Sequence, residues 1–357
     1  MSTSKNKDKE NYKYIIMRIA AFVLLLLTIL NALSLVFVPK YQNDPNGMVS
    51  YIAKSYKGEK ENSIDVFIVG NSDAYRAFSP MYIWGESGIP SCVSGKGKQD
   101  TRGAYKILKN MYRYQNPEIV VIETDMFYEP LPKIKNNGLP KFVNKLLDLR
   151  VFLKESFKNF DDAAASGIGY YFPVLKYHDR WDELRAHDFT NTKASYSFDY
   201  KGFIPDFKTR PYHNNFDYMG TNNMSEEKLS RIKAYYLDKI MKLCKEKGSQ
   251  VVFVEAPSAV SWNYKRHNAV KNLAQKYSVD FIDMNIEGTL DGFNWLTDTK
   301  DNGDHLNISG AQKASRYLND YLKKYNIEDK RANPDFKSWN QSHTKYVNEL
   351  SKNQIEI

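Results

Sequence analysis

"VFIVGNSDAYRAFSP", residues 66 to 80, decides the fold. Val66, Phe67, Ile68 and Val69 form an unbroken apolar run, the pattern of a strand buried on both faces in a parallel sheet. Gly70 ends the run, and Asn71, Ser72 and Asp73 follow where a strand would give way to a helix. Small polar residues at that junction have two readings. Ser and Asp are preferred helix caps. A serine just past the carboxyl end of a strand is also well placed as a nucleophile, because the amides opening the next helix stabilise a nearby anion. The stretch alone does not choose between cap and nucleophile.

Outward from it, strand-like runs at 64–69, 90–93, 119–123, 250–255 and 280–283 alternate with helical patterns. Apolar residues at three- and four-residue spacing predict helices over 103–115, 225–247 and 264–277. A last helix is expected over 309–325, with Ser309 as its cap. Such alternation implies a parallel sheet between two layers of helices, with ligand sites at the carboxyl ends of the strands. The rhythm breaks at about 129–222, a stretch rich in aromatics ("GIGYYFPVLKYHDRWDEL") that is too long for a simple loop. It reads as an insertion over the functional edge of the sheet.

The N-terminus carries a topological signal. Lys5, Lys7, Lys9, Lys13 and Arg18 precede "IAAFVLLLLTILNALSLVFV", residues 19–38, which holds no charge. Twenty such residues at ~1.5 Å each span about 30 Å, the hydrocarbon core of a bilayer. A cleaved signal peptide has a shorter apolar region and a small-x-small site, which the Ala32 region matches poorly. The basic flank places the N-terminus in the cytoplasm. The chain therefore divides into a cytoplasmic basic tail (1–14), a transmembrane anchor (15–38), a spacer (39–62), a main domain (63–325) and a polar C-terminal tail (326–357).

The formal charge of +9 does not imply nucleic acid, because the lysines are scattered rather than gathered in a basic block among aromatics. Cys92 and Cys244 lie far apart, fit no metal spacing, and read as two small buried residues. His178, His187, His213, His267 and His343 have no clustered ligand spacing, so no metal is expected. "SGKGKQD", residues 94–100, lacks the third glycine of a dinucleotide loop, since Asp100 stands there. No cofactor is expected.

The second chemical signal is "DTKDNGDHLNISGAQKASRYL", residues 298–318. A histidine acting as general base needs a carboxylate on its other nitrogen to fix the tautomer. Asp301 and Asp304 are the local candidates for His305. Asp304 is adjacent, so its side chain diverges from the ring, whereas Asp301 can fold back across the Asn302-Gly303 turn. A calcium loop is a poor alternative, with Lys300 at a ligand position and Ser309 where the closing glutamate belongs.

The Gly-x-Ser block after the first strand and the His-Leu-Asn-x-x-Gly-Ala block before the last helix resemble the SGNH/GDSL hydrolase superfamily. The closest likeness is to its membrane-anchored branch associated with acyl decoration of bacterial cell-surface polymers. The likeness runs over about 63–130 and 225–325. It implies a three-layer α/β/α fold with a mainly parallel, flavodoxin-like sheet, preceded by one transmembrane helix. Ser72 matches the family's nucleophile, Gly70 its first-block glycine, and Gly97, or else Gly95, the oxyanion amide. In "PEIVVIETDMFY", residues 117–128, Thr124 and Asp125 stand where many members have an Asn donor. The usual Asp-x-x-His is replaced, for Asn302 lies three before His305. Arg76, one helical turn after Ser72, is a candidate for a substrate anion or for a salt bridge. Trp262 and Trp295 are candidates for stacking on sugar or for core packing.

The resemblance implies an extracytoplasmic serine O-acyltransferase, acetyl being the expected group. A polysaccharide would accept it, and a multi-pass membrane acyltransferase would supply it. A carbohydrate esterase of the same fold and a non-catalytic glycan-binding membrane protein are the alternatives.

Overall fold

The computed structural model describes residues 2–44, 47–130, 172–191, 195–213, 217–286 and 288–355. These fall into two compact units, one of 1–47 with 133–195 and the other of 48–132 with 196–357.

The larger unit is built on five strands: β1 (Val66–Gly70), β2 (Ser91–Gly95), β3 (Ile119–Glu123), β4 (Gln250–Glu255) and β5 (Asp280–Asp283). All pair in parallel, in the order β2-β1-β3-β4-β5. β1, β2 and β3 are buried along their whole length. Alternate residues therefore feed two separate cores. Phe67, Val69, Val120, Ile122 and Phe253 face helices Thr101–Met111, Arg231–Lys247 and Tyr264–Tyr277. Val66, Ile68, Val121, Val252 and Val254 face helices Ser72–Ala77, Pro80–Ser87 and Ile308–Leu322. Each fully buried aliphatic side chain contributes about 1.5–3 kcal/mol of transfer free energy. The result is the three-layer sheet of the doubly wound type.

We label the helices in chain order: α1 (Ser2–Phe37), α2 (Ser72–Ala77), α3 (Pro80–Ser87), α4 (Thr101–Met111), α5 (Arg231–Lys247), α6 (Tyr264–Tyr277), α7 (Ile308–Leu322) and α8 (Lys337–Lys352). The chain reverses its direction of travel across the sheet after β2. That places a crevice outside the carboxyl ends of β1 and β3. At the mouth of β1 the backbones come unusually close. Gly70 pairs with Gly95, and a Cβ added to Gly95 would stand 2.3 Å from the Gly70 carbonyl oxygen.

Three expectations change. The spacer expected at 39–62 is shorter, because Ile52, Ala53, Ser55 and Tyr56 are buried in a 3-10 helix. Ser55 Oγ donates to the Val93 carbonyl at 2.7 Å, fixing that helix to β2. The tail expected at 326–357 contains α8, whose Trp339, Tyr346 and Leu350 pack with Met81 and Trp84 of α3 and with Phe203. The cap of α7 is Asn307, whose side chain accepts from the Gly310 amide, while Ser309 Oγ donates to Asp298. Of the expected insertion, 131–171, 192–194 and 214–216 lie outside the described residues. Residues 196–213 pack on the larger unit, where Lys201 O accepts from the Val93 amide. Cys92 and Cys244 are both buried and free.

In the smaller unit, Tyr12–Phe37 of α1 is long and apolar enough to cross a membrane. Its large side chains are exposed on every side, Phe22 and Leu24 among them. Near its end Arg180 is buried, donating to the Phe37 carbonyl and pairing with Asp188 at 3.4 Å.

Candidate active site

α2 starts immediately after β1, and the details of its first turn decide what Ser72 can do. The cap is Asn71, whose side-chain oxygen accepts from the Asp73 amide at 2.9 Å. Ser72 is the first residue of the helix and is half-buried, so its hydroxyl is not used as the cap. Tyr75 stands one turn along the same helix, with its phenol near the Ser72 side chain.

His305 lies in the turn before α7. Its Nδ1 meets Asp301 Oδ2 at 2.8 Å, and its backbone amide donates to Asp301 Oδ1 at 2.7 Å. One carboxylate thus holds both the ring and the main chain of the same residue. Asn302 (φ 61°) and Gly303 (φ 90°) supply the left-handed turn that folds Asp301 back. Gly303 O anchors the turn by accepting from the Ala259 amide at 2.7 Å. Asp304 stands farther off, at 3.4 Å from Nδ1, with its side chain more exposed. Burial works to raise the Asp301 pKa. The hydrogen bonds from the His305 ring and amide and from Lys300 outweigh it, and hold the carboxyl well below the usual carboxylate range.

The other ring nitrogen, Nε2, points toward the start of α2, 3.9 Å from Asp73 Oδ1. No hydrogen bond joins Ser72 to His305 among the described residues. Asp73 is not singled out by its sequence, yet it is the carboxyl beside the free nitrogen. Burial pushes its pKa well up, helped by Asp125, Glu123, Asp304 and Glu129.

The remaining candidates divide. Gly95 is buried at the end of β2, where an added Cβ would meet the carbonyls of Gly70 and Asn71. Gly97 is exposed in the next turn, and a Cβ on it would lie 3.6 Å from Tyr75 Oη. The Tyr75 phenol therefore reaches from α2 to the turn that carries Gly97. Thr124 does not join them: it is fully buried, and its Oγ1 donates to Glu255 Oε2 at 2.6 Å. A threonine hydroxyl has one proton, so Thr124 has none left for an oxyanion. Asp125 accepts from Asn71 Nδ2 at 2.8 Å and pairs with Arg266 at 3.3 Å. Asn71 Nδ2 also donates to Glu129 at 3.0 Å, so that amide too is committed. Arg76 is engaged elsewhere, donating to the Ile204 carbonyl at 3.1 Å and standing 3.5 Å from Asp206. These contacts match the salt-bridge reading of Arg76.

The tryptophans differ as well. Trp262 is a core residue whose Nε1 donates to Asp283 at 2.8 Å. Trp295 is half-buried among Tyr212, Tyr218 and Phe293. In the smaller unit the fold brings His187 within 2.8 Å of Asp44 and 4.0 Å of Asp188, a grouping that sequence spacing hides. Its carboxylates are already met by Arg180 and by the amides of Lys40 and Tyr41.

No family model matches the chain, and no curated protein matches it. Among solved structures it is similar to a crystal structure from Bacteroides fragilis NCTC 9343, described as a "putative acylhydrolase". The identity is 11%, the TM-score 0.35, and the match covers 77% of this chain and 95% of that one. A likeness of that degree carries no argument, and the functional reading rests on the site itself.

Proposed function

We propose that this chain is a serine-dependent acyl-transferring enzyme, with Ser72 as nucleophile, His305 as base and Asp301 as the acid that orients it. The observation that carries this is the His305 ring, bonded to Asp301 through Nδ1, with its Nε2 turned to the helix start where Ser72 lies. That start sits at the switch point of a parallel sheet, where such folds place their sites. Ser72 Oγ reaches His305 by a side-chain rotation and gives its proton to Nε2 while its oxygen bonds the acyl carbon. The carbonyl oxygen becomes an oxyanion. Collapse expels the alkoxide, which takes the proton from Nε2 and leaves an acyl-Ser72. An acceptor hydroxyl then repeats the steps in reverse, and Ser72 recovers its proton.

The acceptor we propose is a cell-surface polysaccharide and the group acetyl, handed over by a multi-pass membrane acyltransferase. Both rest on the resemblance of the two motif blocks. In this reading α1 is a single-pass anchor with its N-terminus in the cytoplasm and the larger unit outside. The test uses the full chain in detergent micelles with an aryl acetate, with and without an oligosaccharide acceptor. Ser72→Ala and His305→Ala should each reduce turnover to background with melting unchanged. Activity that survives both changes would overturn the assignment. Acetylated oligosaccharide supports transfer, whereas free acetate undiminished by acceptor makes the enzyme an esterase.

A further inference from the structure

The side-chain oxyanion donor that the motif blocks lead one to seek at 124 or 125 is not there. Thr124 has given its proton to Glu255, Asp125 is bound by Asn71 and Arg266, and Asn71 is shared between two carboxylates. One polar side chain nevertheless reaches from the helix of Ser72 to the turn of Gly97. Tyr75 lies three residues after Ser72, so both project from one face of α2. Its Oη lies 3.6 Å from where a Gly97 Cβ would stand, an ordinary van der Waals contact, and near the Ser72 side chain.

We propose that the Tyr75 phenol is the side-chain donor of the oxyanion hole, acting beside the backbone amides of Ser72 and Gly97. This rests on the serine reading of the site. The phenol keeps its own proton throughout, hydrogen-bonding the oxyanion without transferring to it. Tyr75 is only 8% exposed, so the bond forms where water competes little. Burial raises its pKa above the phenol norm, with Arg76 pulling the other way, which keeps the donor protonated at neutral pH.

The test compares the full chain carrying Tyr75→Phe with the native chain and with Ser72→Ala on an aryl acetate. Tyr75→Phe should lower kcat by roughly a hundred-fold while leaving KM within about three-fold. Ser72 should still be labelled by a fluorophosphonate on long incubation. A Tyr75→Phe kcat within about three-fold of native, in a chain whose turnover needs Ser72, overturns the inference alone. A native chain that neither turns over nor is labelled at Ser72 overturns the serine reading and this inference with it. A fluorinated tyrosine at position 75 keeps the shape and lowers the phenol pKa. The alkaline limb of the kcat profile should move down with it, and a limb that stays in place also overturns the proposal.

Discussion

At the scale of the residue, two aspartates compete for one imidazole, and distance separates them. Asp301 meets Nδ1 at 2.8 Å and also holds the His305 amide; Asp304 is at 3.4 Å. Removing the charge that fixes a catalytic histidine's tautomer lowers kcat by about 10⁴ in well-studied triads. Asp301→Asn should therefore cut turnover by a factor on the order of 10³–10⁴. Asp304→Asn should change it only a few-fold, and equal losses in the two variants would sink the pairing. The sign of the pH effect follows from the depressed Asp301 pKa. Its stabilisation is full above the unfolded value of about 4 and is lost as pH falls through the lower folded value. The pairing of His305 with Asp301 was legible because the two are four residues apart with an Asn-Gly turn between. Tyr75 and Asp73 were not, because each matters only through Gly97 or His305, brought close by the fold. Asn71 was missed for another reason: Asn caps as well as Ser does, and a local pattern cannot say which of two neighbours takes the place.

At the scale of the element, the strand ends hold a tension. β3 and β4 finish in Glu123 and Glu255, both fully buried, where apolar runs would lead one to expect apolar residues. Burial raises both pKa values, and for Glu255 the neighbouring Glu123, Asp125 and Asp283 add to it. A carboxyl whose folded pKa exceeds its unfolded value of about 4.3 contributes full stability below that value and loses it as pH rises through the folded one. Glu255→Gln can still accept from Thr124 but no longer ionises. Its unfolding free energy should gain on that of the native chain as pH rises from about 5 to about 9, by up to about 1.4 kcal/mol per pH unit. A gap that stays constant over that range would mean Glu255 is charged throughout. The strands themselves were legible, since β3, β4 and β5 begin and end where the apolar runs do. α8 was not. Its buried stripe, Trp339, Ser342, Tyr346 and Leu350, is one face of a sixteen-residue helix that is otherwise polar. Composition diluted the period.

At the scale of the whole molecule, α1 is the element that bears on where the chain works. A helix whose apolar side chains face outward all round, over Tyr12–Phe37, suits lipid better than water. The full chain should sediment with membranes and resist carbonate extraction. Its N-terminal peptide should be recoverable by mass spectrometry, and a chain found only as a species beginning near residue 40 would make the helix a signal sequence. This feature was plain in the sequence, because length and charge alone define it. The partition of the aromatic stretch between two units was not, because it depends on contacts far apart in the chain. The seam between β1 and β2 constrains the molecule in a different way. A side chain at Gly95 would strike the main chain of Gly70, an atom that no substitution elsewhere can trim away. The lineage of this protein can therefore repair most errors near the site by adjusting a neighbour, but an error at Gly95 only by undoing it.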